Sequence, residues 1–546
     1  VPVATSYPGV YIQEVPSSVH TVTGVPTSVA AFVGYARQGP VNESVHITSW
    51  ADYVRAFGGL DPAVEMSYSV YLFFANGGSA AEIVRAGGKG GADDNGAKAS
   101  FKLANDFVLE AISPGDWATN LVIEIQSGED KVPENTFNLI IHVVADDGTI
   151  NAVESYKQLS LETVGAALSR SSYFNLAPGD PPAKIPADSV YCPAEFDDVV
   201  TKAFPAPHAP PAPPPPAPPA PAPAPAPAAP KIVKDKFTPG EPTPGGDDPT
   251  KLDIAGTTPG VGVTALDDVD IFNIVCLPKP AGKDLLAEDV SAVAEYCERK
   301  RAMLLVDPPA SWADAWKGGG LDFKSATGFP SSTNAAVYFP NIQTTDPATG
   351  ALVERGPSGV IAGVWAATDV ARGVWKAPAG TNASLSGIAN LTANINDEKN
   401  GVLNPLGVNC LRTLPLAGPV IWGARTCKGA DRLGSEWKYL PVRRTALFIE
   451  ESLRRGTQWI VFEPNDEPLW AAIRLNVGAF MNSLYRQGAF QGSTPQEAYL
   501  VKCDKENNPH NDIDRGIVNI SVGFAPLKPA EFVIIHIEQL AGQLQV

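Results

Sequence analysis

Apolar residues fall along this chain in patterns that read as alternating strands and helices, interrupted twice. Ser28 to Tyr35 is a continuous apolar run of strand length. Ser67 to Asn76 is helix-like and closes on the stop signal Gly77-Gly78. The alternation resumes much later, with a strand at Ile271 to Leu277, a helix at Asp284 to Arg301 and a strand at Met303 to Val306, punctuated by Pro308-Pro309. Between these stretches Leu121 to Gln126 and Phe137 to Val144 predict strands of a separate, strand-rich module, which begins after Gly87-Gly88-Lys89-Gly90-Gly91. Toward the C-terminus Leu469, Trp470, Ile473, Val477, Phe480, Met481 and Leu484 share one face of a helix over 467–486, with Asp466 and Glu467 where the helix dipole favours negative charge. Val518, Ile520, Val522 and Phe524 alternate with polar or small residues as a half-buried strand does, and Phe532 to Ile537 predicts a last strand.

Composition explains the second interruption. Residues 205–230 are 15 Pro, 10 Ala and His208, a polyproline II tract that lacks the side chains to build a core. Residues 231–268 continue as turn-rich, weakly apolar chain, so 205–268 reads as one exposed excursion. The tract lacks within it the basic residue that flanks many proline-motif ligands, which favours a spacer over a docking peptide. The fold class is therefore mixed α/β: a core formed by N- and C-terminal parts of the chain, with a strand-rich inserted domain and a Pro-rich surface excursion.

At 546 residues, 44% hydrophobic and 18% charged, the chain has material for several cores and is not a disordered one. Its formal charge, 41 − 59 = −18, disfavours nucleic acid as a partner. No apolar run approaches the roughly 18 residues needed to span a bilayer, so no membrane insertion is expected. The first residues lack a basic segment followed by an apolar one, which predicts folding in a cytoplasm. The six cysteines, Cys192, Cys276, Cys297, Cys410, Cys427 and Cys503, stand singly and read as reduced, mostly buried thiols.

The motifs of catalysis and metal binding are sparse. The chain has no GxSxG elbow, HExxH pair or Walker A loop. Gly260-Val261-Gly262-Val263-Thr264-Ala265 fits a relaxed dinucleotide pattern but follows Thr-Thr-Pro where a strand is required, so it reads as a loop. Asp504, Glu506, Asp512 and Asp514 cluster without the glycine and closing glutamate of a calcium loop, and read as a solvated turn. No catalytic, cofactor or metal residue is assigned, and no enzyme activity or cofactor is expected.

Residues 411–486 hold eleven Arg or Lys against seven acids, a net +4 in an acidic chain. This predicts, with equal weight, either an acidic partner or internal pairing of the kind that the i,i+4 spacing of Glu450 and Glu451 to Arg454 and Arg455 offers. The ends of the chain, Val10-Tyr11-Ile12-Gln13-Glu14 and the strand near residue 532, are β-prone and terminal. Such strands are easily donated to a neighbour's sheet.

Several segments resemble one family. Tyr7-Pro8-Gly9-Val10-Tyr11-Ile12-Gln13-Glu14, Gly24-Val25-Pro26-Thr27-Ser28-Val29-Ala30-Ala31-Phe32-Val33-Gly34, Phe57-Gly58-Gly59 and Phe73-Phe74-Ala75-Asn76-Gly77-Gly78 are similar in order and spacing to the tail sheath proteins of contractile phages and contractile injection systems. Pro357-Ser358-Gly359 and Arg372-Gly373-Val374-Trp375-Lys376-Ala377-Pro378 resemble the middle motif of that family. Ile421-Trp422-Gly423-Ala424-Arg425-Thr426, Val442-Arg443-Arg444, Phe462-Glu463-Pro464-Asn465-Asp466 and Ala525-Pro526-Leu527-Lys528-Pro529-Ala530-Glu531-Phe532 resemble its C-terminal domain. The resemblance covers about residues 1–90 and 270–546.

It implies a sheath-type core divided as follows: a linker arm at 1–20, the first core part at 21–90, the outer insert at 91–204, the exposed linker at 205–268, the second core part at 269–410, an inner C-terminal domain at 411–530 and a linker strand at 531–546. The implied function is that of a structural subunit of a contractile sheath, a homo-oligomer in a six-start helix around an inner tube protein, with baseplate and tail terminator proteins as further partners. Assembly in the bacterial cytoplasm, as part of a phage tail or tail-like particle, is implied too. Val10, Tyr11, Ile12, Gln13 and Glu14, with Phe532, Val533, Ile535 and Ile537, are the implied inter-subunit strands. Arg443, Arg444, Arg474 and Arg486 are candidates to face the tube. The alternative is a non-contractile scaffold whose outer insert binds a surface or hydrolyses a substrate.

Overall fold

The computed structural model describes residues 21–88, 96–103, 107–127, 132–144, 148–177, 184–193, 200, 203, 231–233, 237–238, 251–280, 283–317, 330–346 and 350–536. Its centre is an eight-stranded sheet in the order Ser44–Ile47, Ala81–Arg85, Ala30–Gly34, Ile274–Cys276, Met303–Val306, Ala335–Phe339, Asn409–Leu414 and Gly418–Trp422. The six inner strands run parallel, and the two outermost are antiparallel to their neighbours. Strands such as Ala-Ala-Phe-Val-Gly over 30–34 are buried along their whole length, as parallel strands covered on both faces must be. Ala30–Gly34 pairs on one side with Ala81–Arg85 and on the other with Ile274–Cys276, so the two core parts anticipated from the sequence form one sheet.

One covering layer is unusually close. Helix Glu65–Ala75 lies against helix Ser358–Arg372. A β-carbon at Gly359 would stand 2.3 Å from the Ser69 carbonyl oxygen, and one at Gly363 would stand 2.5 Å from that of Phe73. Two glycines four residues apart present one face of the second helix, and only their missing side chains let the backbones touch.

The insert folds on its own hydrophobic cluster, which includes Phe101, Phe107, Leu109, Ile123, Phe137, Leu139 and Phe174. Leu121–Gln126 and Phe137–Val144 are adjacent antiparallel strands, with the bounds anticipated. The module does not end before the proline tract, however. Lys231–Val233 pairs with Ser189–Tyr191, and Phe237–Thr238 pairs with Ser100–Lys102. Nor is the described end of the expected exposed linker, 251–268, exposed throughout: Leu252, Ile254, Val263 and Leu266 are fully buried in the main core. Four apolar side chains spread among turn residues suffice to dock a segment that has no period. The two stems of the insert meet at the core, where Gly88 bridges Leu252 and the Asp253 amide donates to the Gly87 carbonyl at 2.9 Å.

The C-terminal unit is built on helix Glu467–Arg486, whose N-cap Asp466 accepts from the Leu469 amide. All seven residues placed on its apolar face are buried, against the antiparallel pair Tyr499–Lys502 and Ser521–Phe524. The boundary with the core lies later than residue 411. Cys410, Leu411, Val420 and Ile421 are fully buried in the main sheet, because the hairpin 409–422 extends that sheet by two strands. Helix Leu440–Gly456 then joins the units, burying Leu440 and Leu447 in the core and Ile449 in the C-terminal cluster. No helix among the described residues is long and apolar enough to cross a membrane.

Candidate functional site

The C-terminal sheet has two strands, in the register Tyr499↔Phe524 to Lys502↔Ser521. Among the described residues each strand has the other as its one strand partner, so both outer edges carry unpaired backbone groups. Tyr499, Val501, Val522 and Phe524 pack onto the cluster beneath, while Leu500 on the other face is 60% exposed. A lone two-stranded sheet is marginal. This one is held up by helix 467–486 from below and open at its sides.

Beyond the sheet the chain returns to the core. Pro526 bridges Phe490, and the Gln491 amide donates to the Ala525 carbonyl at 2.9 Å. Glu531 is then gripped by Arg425, which donates from Nε to Oε1 at 2.8 Å and from Nη2 to Oε2 at 2.6 Å. The Tyr439 hydroxyl reaches the same carboxylate at 3.4 Å. Arg425 is fully buried, and its Nη1 donates to the Asn404 carbonyl and to Asp431. Past this fork Phe532, Val533, Ile534 and Ile535 are 74–80% exposed and extend no sheet. The expected strand over 532–537 is therefore absent from the described residues: its apolar side chains are in place, but no edge among the described residues receives them. The segment leaves along a groove of ≈ 630 Å³ that Trp375, Trp422 and Pro441 help to line. Ile537 and the N-terminal candidates Val10, Tyr11, Ile12, Gln13 and Glu14 lie outside the described residues.

The arginines proposed to face a tube are not brought together. Arg444 is internal: it forms a bidentate pair with Asp369 at 2.6 and 2.8 Å, donates to the Thr27 carbonyl at 3.0 Å and stacks 4.7 Å from the Trp365 ring centre. Its side chain is 3% exposed and that of Asp369 is 2% exposed. Position 444 falls on the core side of its helix, so its charge is spent within the molecule. Arg443 is largely covered as well, donating to Asn334 at 3.0 Å and lying over Trp437. Arg474 pairs with Glu467 at 2.7 Å and reaches the Cys503 carbonyl. Arg486 is exposed at the end of its helix. Internal pairing also accounts for Glu451, which takes hydrogen bonds from Arg454 and Arg455. Partial burial would raise its pKa, but the two guanidiniums outweigh that and hold it at about 2.

Other polar groups do structural work. Asp307 caps helix 358–372, accepting from the Ser358 amide at 2.8 Å and its hydroxyl at 2.9 Å; complete burial lifts its carboxyl to about 6 against the pull of Lys279 and Ser358. The six cysteines are free and buried, and burial raises the thiol pKa of Cys276, Cys297, Cys410, Cys427 and Cys503. Residues 262–266, which overlap the relaxed dinucleotide pattern, form a 3-10 turn docked in the core. In the acidic stretch 504–516, Asp512 accepts from Asn519 and lies 3.8 Å from Arg515, and Glu506 pairs with Lys502. Among the described residues no group of three or more His, Cys, Asp or Glu side chains is placed to hold a metal ion.

Sequence reasoning missed the Arg425–Glu531 fork. Both partners stand in segments singled out for their resemblance, but nothing in either segment says that residues 106 apart meet. What the geometry offers is mechanical: an anchored, extended apolar segment, and a sheet whose two outer edges take no strand among the described residues.

Residues 262–427 match the phage tail sheath protein central domain, and residues 434–539 match the phage tail sheath C-terminal domain. The tail sheath protein of Vibrio phage KVP40 is 26% identical over 180 residues, 33% of this chain and 26% of that protein. The tail sheath protein of Burkholderia phage BcepMu is 26% identical over 308 residues, 52% of this chain and 61% of that protein. The chain thus spans less than two thirds of the length of either relative. Among solved structures, the contracted PVC sheath complex of an extracellular contractile injection system covers 98% of this chain with 99% of its own, at a TM-score of 0.54 and 20% identity.

Proposed function

We propose that this chain, a phage tail sheath protein by its central and C-terminal domains, is the subunit of a contractile tail sheath that polymerises helically around an inner tube and shortens to drive the tube through a target envelope. One observation carries the reading: among the described residues the same subunit holds a sheet with two edges that take no further strand and an exposed apolar segment that joins no sheet. Two edges suit two donated strands, one from residues 10–14 of one copy and one from the segment beginning at Phe532 of another. Each main-chain bond so made contributes about 0.5–1.5 kcal/mol, and several together join rigid cores without fixing their mutual angle.

The chain then needs no catalytic group. Contraction repacks rigid cores while the links persist, and the driving free energy is stored when subunits assemble in the metastable extended array. The inner tube, baseplate and tail terminator are its partners, and the particle is a phage tail or a tail-like machine assembled in the bacterial cytoplasm. Of the four arginines, Arg486 keeps a role in tube contact, since it is exposed and makes no ion pair among the described residues.

Deleting residues 1–15 is expected to leave a folded, soluble subunit that forms no cylinders in negative-stain micrographs, where the full chain forms striated hollow ones. Normal cylinders from the deleted chain would reject the exchange of arms.

A further inference from the structure

Building on the reading of the C-terminal segment as an inter-subunit link, we infer that the Arg425–Glu531 fork is the fixed end of that link and sets how much slack a neighbouring copy meets. The last backbone contacts between this part of the chain and its own subunit, among the described residues, fall at Ala525 and Pro526. Five residues further on Glu531 is gripped, and the next four side chains are exposed.

The grip is rigid because Arg425 is itself bound to the core. Its Nη1 is taken by the Asn404 carbonyl at 2.8 Å and by Asp431 at 3.0 Å, and its backbone amide donates to Asn409 Oδ1 at 2.7 Å. Asn409 in turn donates to the carbonyls of Val337 and Arg425, tying the assembly to the main sheet. That leaves the Nε and Nη2 edge to hold one carboxylate by two parallel bonds, a geometry that fixes direction as well as distance and that lysine cannot copy.

Without the fork, residues 527–531 are released. Five residues add ~17 Å of extended chain, more than three times the ~4.8 Å between paired strands. A neighbour on so slack a link can shift register or drift as the lattice shortens. Arg425 and Glu531 are thus positioning residues: they add no strand themselves but decide where the donated strand starts.

The test uses the full chain with Glu531→Ala and Glu531→Gln, digested briefly with chymotrypsin and read by mass spectrometry. In the parent, cuts in this region are confined to Phe532 and beyond. In Glu531→Ala, cutting at Leu527 rises roughly tenfold or more, as expected when a charge-assisted pair is lost, while cutting within the core stays at the parent's level. The core melts at a lower temperature, because buried Arg425 keeps only its Nη1 partners, but is still folded at the digestion temperature. Glu531→Gln, which keeps one acceptor, falls between; it also serves if the alanine variant folds poorly. In micrographs the alanine variant forms cylinders that break into short pieces on contraction, where parent cylinders stay whole. Unchanged cutting at Leu527 overturns the fork as an anchor. Raised cutting with whole contracted cylinders overturns its part in limiting slack. Removing everything after Glu531 judges the underlying reading separately: if that chain still polymerises the link is refuted, while the digestion pattern still decides what holds Glu531.

Discussion

Replacing Arg444 by alanine separates an arginine that holds the core from one that holds a partner. The substitution strands the Asp369 carboxylate, 2% exposed, without the two bonds of 2.6 and 2.8 Å that now neutralise it. Breaking a buried pair by removing one member costs about 3–5 kcal/mol. Loss of the Trp365 contact and of the bond to the Thr27 carbonyl moves the expectation toward the upper end of that range. At about 2–4 °C per kcal/mol for a unit of this size, the core transition should fall by roughly 6–20 °C. The assay is a thermal scan of the unassembled subunit, followed by near-ultraviolet circular dichroism so that the core tryptophans report. The double variant Arg444→Met with Asp369→Leu should recover most of the loss, because it removes the stranded charge and fills the space with apolar atoms. An Arg444→Ala subunit within about 1 kcal/mol of the parent would refute the reasoning and return Arg444 to the surface.

Two further outcomes are expected. Asp307 has a folded-state pKa of about 6 against an ordinary 3.8, so its contribution is fully present below pH ~4 and is lost as pH rises through 6, about 3 kcal/mol in all; Asp307→Asn should flatten that slope and be the more stable protein above pH 6, and a difference from the parent that does not change between pH 4 and 7 would count against the burial argument. Ile535→Asp places a charge on a side chain 78% exposed in the free subunit, so melting should shift by less than about 0.5 kcal/mol while cylinder formation is lost; cylinders from this variant would show that the segment is not a paired strand.

The elements legible in the sequence were those with a period. Helix 467–486 and the strands 121–126 and 137–144 carry enough turns or alternations for their buried faces to be read off residue by residue. Lys231–Val233 is three residues long, too short for any alternation to stand out, and in the sequence it follows a tract of proline and alanine. The four apolar residues that dock 252–266 were hidden among turn formers for the same reason. The arginines fail differently. Position 444 and position 486 are equally basic in the sequence, and only the packing of one helix against the core, with Asp369 waiting 75 residues away, makes the first an internal strut. The exposed tail was legible as β-prone; that residues 532–536 join no strand among the described residues belongs to the three-dimensional arrangement.

The meeting of Gly88 with Leu252 and of Gly87 with Asp253 has a consequence for how such a molecule changes over time. The inserted module thus leaves and re-enters the core at one place, where its two stems lie side by side. Beyond the stems it is tied to the core at Ser113 and Pro114, which meet Gly39 and the buried Arg85, so changes past that contact need displace no strand of the main sheet. Changes inside the insert can therefore accumulate while the path of the main sheet stays the same.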